Sequence, residues 1–181
     1  GARVLQHEFV NHSAQLNWAM RQLGDEVKWV LRIDADEYCT SELATEVRRG
    51  ISSVEAAVSG FILRRRIFFL GLPVRFGGFG SMPVLRIWRH GHAVCEERWM
   101  DEHMVLTEGV ARALDAPLVD ENLNDIAWWT NKHLKYSARE AVDLLHVRDR
   151  SRCASTGTVF GSRRVKLKRF LKEQVYARLP L

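Results

Sequence analysis

The feature that most narrows the possible folds is an apolar run, Val27-Lys28-Trp29-Val30-Leu31-Arg32-Ile33, that leads straight into Asp34-Ala35-Asp36-Glu37. A short run this rich in Val, Ile, Leu and Trp reads as a buried strand. In an extended segment alternate side chains share a side, so Asp34 and Asp36 are expected to project together while Ala35 faces away. A hard divalent cation, Mg²⁺ or Mn²⁺, prefers carboxylate oxygens and is commonly held by one or two of them together with substrate phosphates. Such a cation stabilises charge on a departing diphosphate. A D-x-D triplet is short, and the same acids also suit capping of the next helix or solvation of a loop.

Strands and helices alternate around this run without a repeat. Val4 to Phe9 reads as a short strand. Asn11 or Ser13 caps a helix carrying Leu16, Ala19, Met20 and Leu23, and Gly24-Asp25 ends it. Thr40 or Ser41 caps a second helix closed by Gly50. Ser59 to Leu70 and Val84 to Trp88 read as strands, separated by a loop with Gly71, Pro73, Gly77, Gly78 and Gly80. His90-Gly91-His92 reads as a turn, and Glu96 to Leu106 as a strand and loop bearing Asp101-Glu102-His103. A long amphipathic helix is expected from Asn122 to about His146, a linker near Ser151 to Gly157, and a basic amphipathic helix from about Ser162 to Ala177. The organisation expected is one α/β domain over 1–147, followed by a linker and basic helix over 148–181.

The formal charge of +5 is uneven. From Arg148 onward stand Arg148, Arg150, Arg152, Arg163, Arg164, Lys166, Lys168, Arg169, Lys172 and Arg178, against Asp149 and Glu173. That end suits an anionic surface, either lipid headgroups or nucleic acid. No run of about 18 apolar residues is present to cross a bilayer. Cys39, Cys95 and Cys153 are widely spaced, as expected for free thiols in a reducing cytoplasm.

Four blocks carry a resemblance: Trp29 to Tyr38, Leu85-Arg86-Ile87-Trp88-Arg89, Arg98-Trp99-Met100-Asp101-Glu102-His103, and Glu121 to His133. In this order they resemble family 2 glycosyltransferases of bacterial envelope-polysaccharide pathways, over nearly the whole chain. The resemblance implies a GT-A fold, Rossmann-like, with a mixed, mostly parallel sheet flanked by helices and the D-x-D at a strand end. Ligands of open α/β sheets bind outside the carboxyl ends of strands, where Asp34 and Asp36 are expected.

The activity implied is metal-dependent, inverting transfer from a nucleotide-diphosphate sugar to a glycan or lipid-linked glycan. Asp101 or Glu102 is then the general base, within reach of the acceptor hydroxyl proton. Ile126, Trp129, His133, Tyr136 and Glu140 form one helical stripe, with His133 placed near the diphosphate or metal and Lys132 as a phosphate partner. The same stripe also suits a seam against the core. The family's opening strand and loop, which grip the nucleotide base, should precede Gly1, so an incomplete nucleotide pocket is expected, as is a missing tail beyond Leu181. The location implied is cytoplasmic, peripheral at the inner face of the membrane. The rival reading is a metal-dependent nucleic-acid-binding domain or nuclease. Against it, the basic residues gather apart from both acidic motifs, so nucleic acid is not expected as a partner. A non-catalytic relic is the remaining alternative.

Overall fold

A computed structural model describes residues 2–76, 80–97 and 102–149. The first helix, α1 (His12–Arg21), starts where Asn11 accepts the amide of Ala14 in its side-chain oxygen, at 2.8 Å. The capping serves an amide that has no partner inside the helix. Helix α2 (Ser41–Ser52) is capped in the same way by Thr40, whose hydroxyl accepts the Leu43 amide at 3.1 Å. Gly50 does not close α2 as expected. It lies inside the helix, where an added Cβ would meet the Phe61 ring at 3.3 Å, so its role is close approach to the sheet.

Six strands form the main sheet: β1 (Trp29–Leu31), β2 (Glu37–Cys39), β3 (Val58–Phe69), β4 (Leu72–Pro73), β5 (Met82–Arg89) and β8 (Val110–Asn122). Their order is β1-β5-β3-β8-β2, with β4 beside β3. A small hairpin of β6 (Ala93–Cys95) and β7 (Met104–Leu106) stands apart from it, and α3 (Ile126–Asp149) follows β8. The sheet is mixed, as expected, but not mostly parallel. Only β3 and β8 run parallel, and the other pairings are antiparallel. A parallel pair needs a long crossover, and here β4, β5 and the β6–β7 hairpin supply it. The expected strand from Val4 to Phe9 pairs with nothing among the described residues and lies exposed.

The chain leaves β1 at one margin of the sheet and enters β2 at the other, with only Arg32 to Asp36 between them. Four inter-strand steps of about 4.8 Å would separate these margins in a flat sheet. That is about the full reach of the link when stretched, and the link contains a tight turn. The sheet therefore curls, bringing its margins together over β5 and β3.

Two cores fill the faces of this curled sheet. Leu43 of α2 packs in one core with Phe61, Leu63, Ile87, Leu114 and Leu118 of the sheet. On the other face Leu85, Trp88, Cys95 and Met104 pack with Leu16 and Met20 of α1. Leu85 and Ile87 face opposite cores although they are two residues apart, because the register shifts at this point: Phe61 pairs Ile87 and Ile62 pairs Leu85. Arg86 is the extra residue of that bulge, a device that re-aims a side chain.

A second irregularity sits in β8, where Ile62 pairs Ala113 but Arg64 pairs Pro117. Glu46 of α2 reaches over this gap, accepting the amides of Asp115 at 3.0 Å and Ala116 at 2.8 Å. Donors freed from the ladder are satisfied, and α2 is fastened to the sheet.

Candidate functional site

The acidic run is not extended. Asp34 to Glu37 forms a tight turn in which the Glu37 amide donates to the Asp34 carbonyl at 2.9 Å. Asp is favoured at the first position of such turns. The Glu37 side chain folds back to accept the Asp34 amide at 3.0 Å. The two aspartates consequently have different surroundings, contrary to the alternation of a straight strand.

Asp34 is held by arginines. Arg32 Nε donates to its Oδ1 at 3.1 Å and Arg86 Nη2 to its Oδ2 at 2.6 Å. The same Arg86 Nη2 binds Glu37 Oε1, and both of these side chains are almost completely buried. Arg65 completes the group, with Nη1 3.7 Å from Glu37 and 3.6 Å from Asp120. Burial pushes the Asp34 carboxyl up, but Arg86 and Arg32 outweigh it and hold the group below the usual carboxylate range. Buried charges are tolerable only when paired in this manner. Two donors, Arg86 Nε and Arg65 Nε, remain buried without an acceptor among the described residues.

Asp36 is exposed, and its carbonyl accepts the Glu121 amide at 2.8 Å, which ties the turn to the end of β8. Asp120 lies beside it. Burial raises the Asp120 carboxyl above its ordinary value, Asp36 and Glu37 add to the rise, and Arg65 and Lys132 oppose it. Lys132 of α3 is thus close enough to Asp120 for its charge to be felt there. Its ammonium also lies 4.7 Å from the Trp128 ring centre and 5.6 Å from that of Tyr136. His133 makes its contacts along the helix. Its ring stacks on Trp129 with centres 3.7 Å apart, and its Nδ1 is 2.9 Å from the Trp129 carbonyl.

Of the second acidic motif, Asp101 lies outside the described residues, as does the expected basic helix from 162 to 177. Glu102 is half-buried on the approach to β7. Burial pushes the Cys95 thiol up to about 11, with Glu102 adding and Arg32 opposing. Cys95 therefore lies within electrostatic range of Glu102 and of the arginine that holds Asp34.

Among the described residues no group of three or more metal-ligating side chains is gathered. The hard oxygens on offer are the exposed Asp36 and the neighbouring Asp120, while Asp34 is taken up by arginines. Two carboxylates with substrate phosphates suit Mg²⁺. Sequence reasoning did not single out Arg65, Arg86, Glu37 or Asp120. A charged residue inside an apolar run, such as Arg86 between Leu85 and Ile87, was the available signal, since a buried charge implies a partner.

No family model matches the chain, and no curated protein matches it.

Proposed function

We propose that the chain is part of a metal-dependent, inverting family 2 glycosyltransferase with a GT-A fold, transferring sugar from a nucleotide-diphosphate donor to a glycan or lipid-linked glycan. The observation that carries the reading is the asymmetry of the acidic turn: Asp34 is locked by Arg32 and Arg86, which leaves Asp36 presented outward near Asp120. Two like charges close together favour a cation between them, and the Lys132 ammonium suits diphosphate oxygens. A bound Mg²⁺ or Mn²⁺ would supply charge stabilisation for the departing diphosphate.

Around that ligand the chain's own groups have separable tasks. Arg86 and Arg32 fix the turn, Asp36 and Asp120 offer oxygens, and Lys132 meets phosphate charge. Asp101 or Glu102 takes the proton from the acceptor hydroxyl as its oxygen attacks the anomeric carbon and the nucleoside diphosphate leaves.

Calorimetry of nucleoside diphosphates with Mn²⁺ tests the reading. Binding by the unaltered chain, lost at least tenfold in Asp36→Ala with folding unchanged, is the expected result. Equal binding by both proteins would overturn the assignment of Asp36.

A further inference from the structure

The tip of the β3–β4 hairpin is costly for a protein surrounded only by water. The register places Phe69 opposite Leu72, so the turn consists of Leu70 and Gly71, and both have positive φ, 51° and 73°. Two-residue hairpins of this kind favour Asn-Gly or Gly-Gly, because a bulky side chain in the left-handed region is strained. Leu70 nevertheless occupies the strained position and is 59% exposed, while Leu72 is 70% exposed and Phe76 is 86% exposed. The apolar surface continues onto α3, since the Phe69 ring lies 6.0 Å from that of Trp129 and both Trp128 and Ile126 are exposed.

A second cost lies at the base of the same hairpin. The Val74 amide donates to the Ile67 carbonyl at 2.9 Å, which continues the register by one step and leaves Arg66 and Arg75 as the next residues on the two sides of the hairpin. Like charges directly opposite each other destabilise a strand pair. Both arginines are exposed, and neither has an ion-pair partner among the described residues.

Each cost vanishes at one kind of surface. An apolar tip enters the acyl boundary, Trp side chains settle at the headgroup level, and flanking arginines meet anionic headgroups. We propose that the hairpin tip, with the first turns of α3, docks the protein onto an anionic lipid bilayer. Leu70 and Leu72 insert, Trp128 and Trp129 sit at the interface, and Arg66 and Arg75 bind lipid phosphate. No helix among the described residues is long and apolar enough to cross a membrane, so the contact is peripheral. The inference stands apart from sugar transfer and needs no activity to be tested.

The test is co-sedimentation of the full chain with phosphatidylglycerol/phosphatidylcholine vesicles and with phosphatidylcholine vesicles, at low and high salt. Leu70→Asn suits the turn better than leucine, so it should fold at least as stably while its partition onto mixed vesicles falls about tenfold. Arg66→Gln with Arg75→Gln relieves the repulsion and should also fold. Its partition should fall about fivefold per arginine at low salt, and the difference should shrink at high salt. Unchanged partition of Leu70→Asn would show that the tip does not insert. Absence of any binding to the mixed vesicles at low salt would overturn the proposal.

Discussion

Arg65 and Arg66 are consecutive residues of β3 that meet opposite conditions. Arg65 turns toward the acidic link, where Glu37 and Asp120 lie within 3.7 Å. Arg66 is exposed beside the hairpin base, and it has no ion-pair partner among the described residues. Around the first, carboxylates and guanidinium groups match one another, and their chemistry is largely consumed in holding the turn. Around the second, charge and apolar surface go unmatched. The lesson is that charged residues concentrated in a motif are not for that reason the ones open to a ligand. Asp34 stands in the motif and belongs to the scaffold, whereas Asp36 projects from it.

The comparison can be broken most sharply at Arg86. Arg86→Met leaves Glu37 and Asp34 without their shared guanidinium, and breaking a buried pair from one side costs about 3–5 kcal/mol. Urea denaturation should show that loss, and a change under about 1 kcal/mol would mean the network does not hold the turn.

Next in size are two effects of about 1 kcal/mol and opposite sign. Glu46→Ala frees the amides of Asp115 and Ala116 and should lower stability by about 1 kcal/mol, tempered by the exposure of the site. Leu70→Asn should raise it by about 1 kcal/mol through relief of turn strain. Thermal melts of both variants check the signs. Asp36→Ala should move stability by no more than about 0.5 kcal/mol, as befits an exposed group, so a larger loss would make Asp36 a structural residue after all.

The smallest net change is expected with pH, because the two carboxylates respond in opposite senses. Asp120 has a folded-state value above its unfolded one, so its charged form weakens the fold. Stability should rise as pH falls from neutral through that raised value. Asp34 has a depressed value, so its contribution is complete above the unfolded value of 3.8 and is lost as pH falls below it. Melting temperature against pH should therefore pass through a shallow acidic maximum, and Asp120→Asn should remove the rise while keeping the fall.

Much of the fold was legible in the sequence where local chemistry decides it. Asn11 and Thr40 cap helices as their side-chain oxygens suggest, and the strands around Phe61 and Ile87 follow their apolar and β-branched content. The long helix was expected too, although it begins at Ile126 rather than Asn122. Strand β8 escaped notice because Pro117 and the polar interruptions at Arg112 and Asp115 mask its pattern. Asp115 falls in the bulge beside Glu46, between the pairs of Ala113 and Pro117. The mostly parallel expectation failed because strand direction depends on tertiary return paths that periodicity does not encode.

The site divided in the same way. Asp34 and Asp36 drew attention by type and spacing, whereas the arginines Arg65 and Arg86 that help distinguish their surroundings are brought in from β3 and β5. A charge inside an apolar run implies a partner for Arg86, but no local signal says which one.

The five residues from Arg32 to Asp36 tie the two margins of the sheet together much as a cord holds a bow. Its length sets the curvature beneath it. Any molecule that tugs on Asp36 pulls on both margins at once, and adding a single glycine to the cord would let the bow straighten and draw Arg65 and Arg86 away from Glu37.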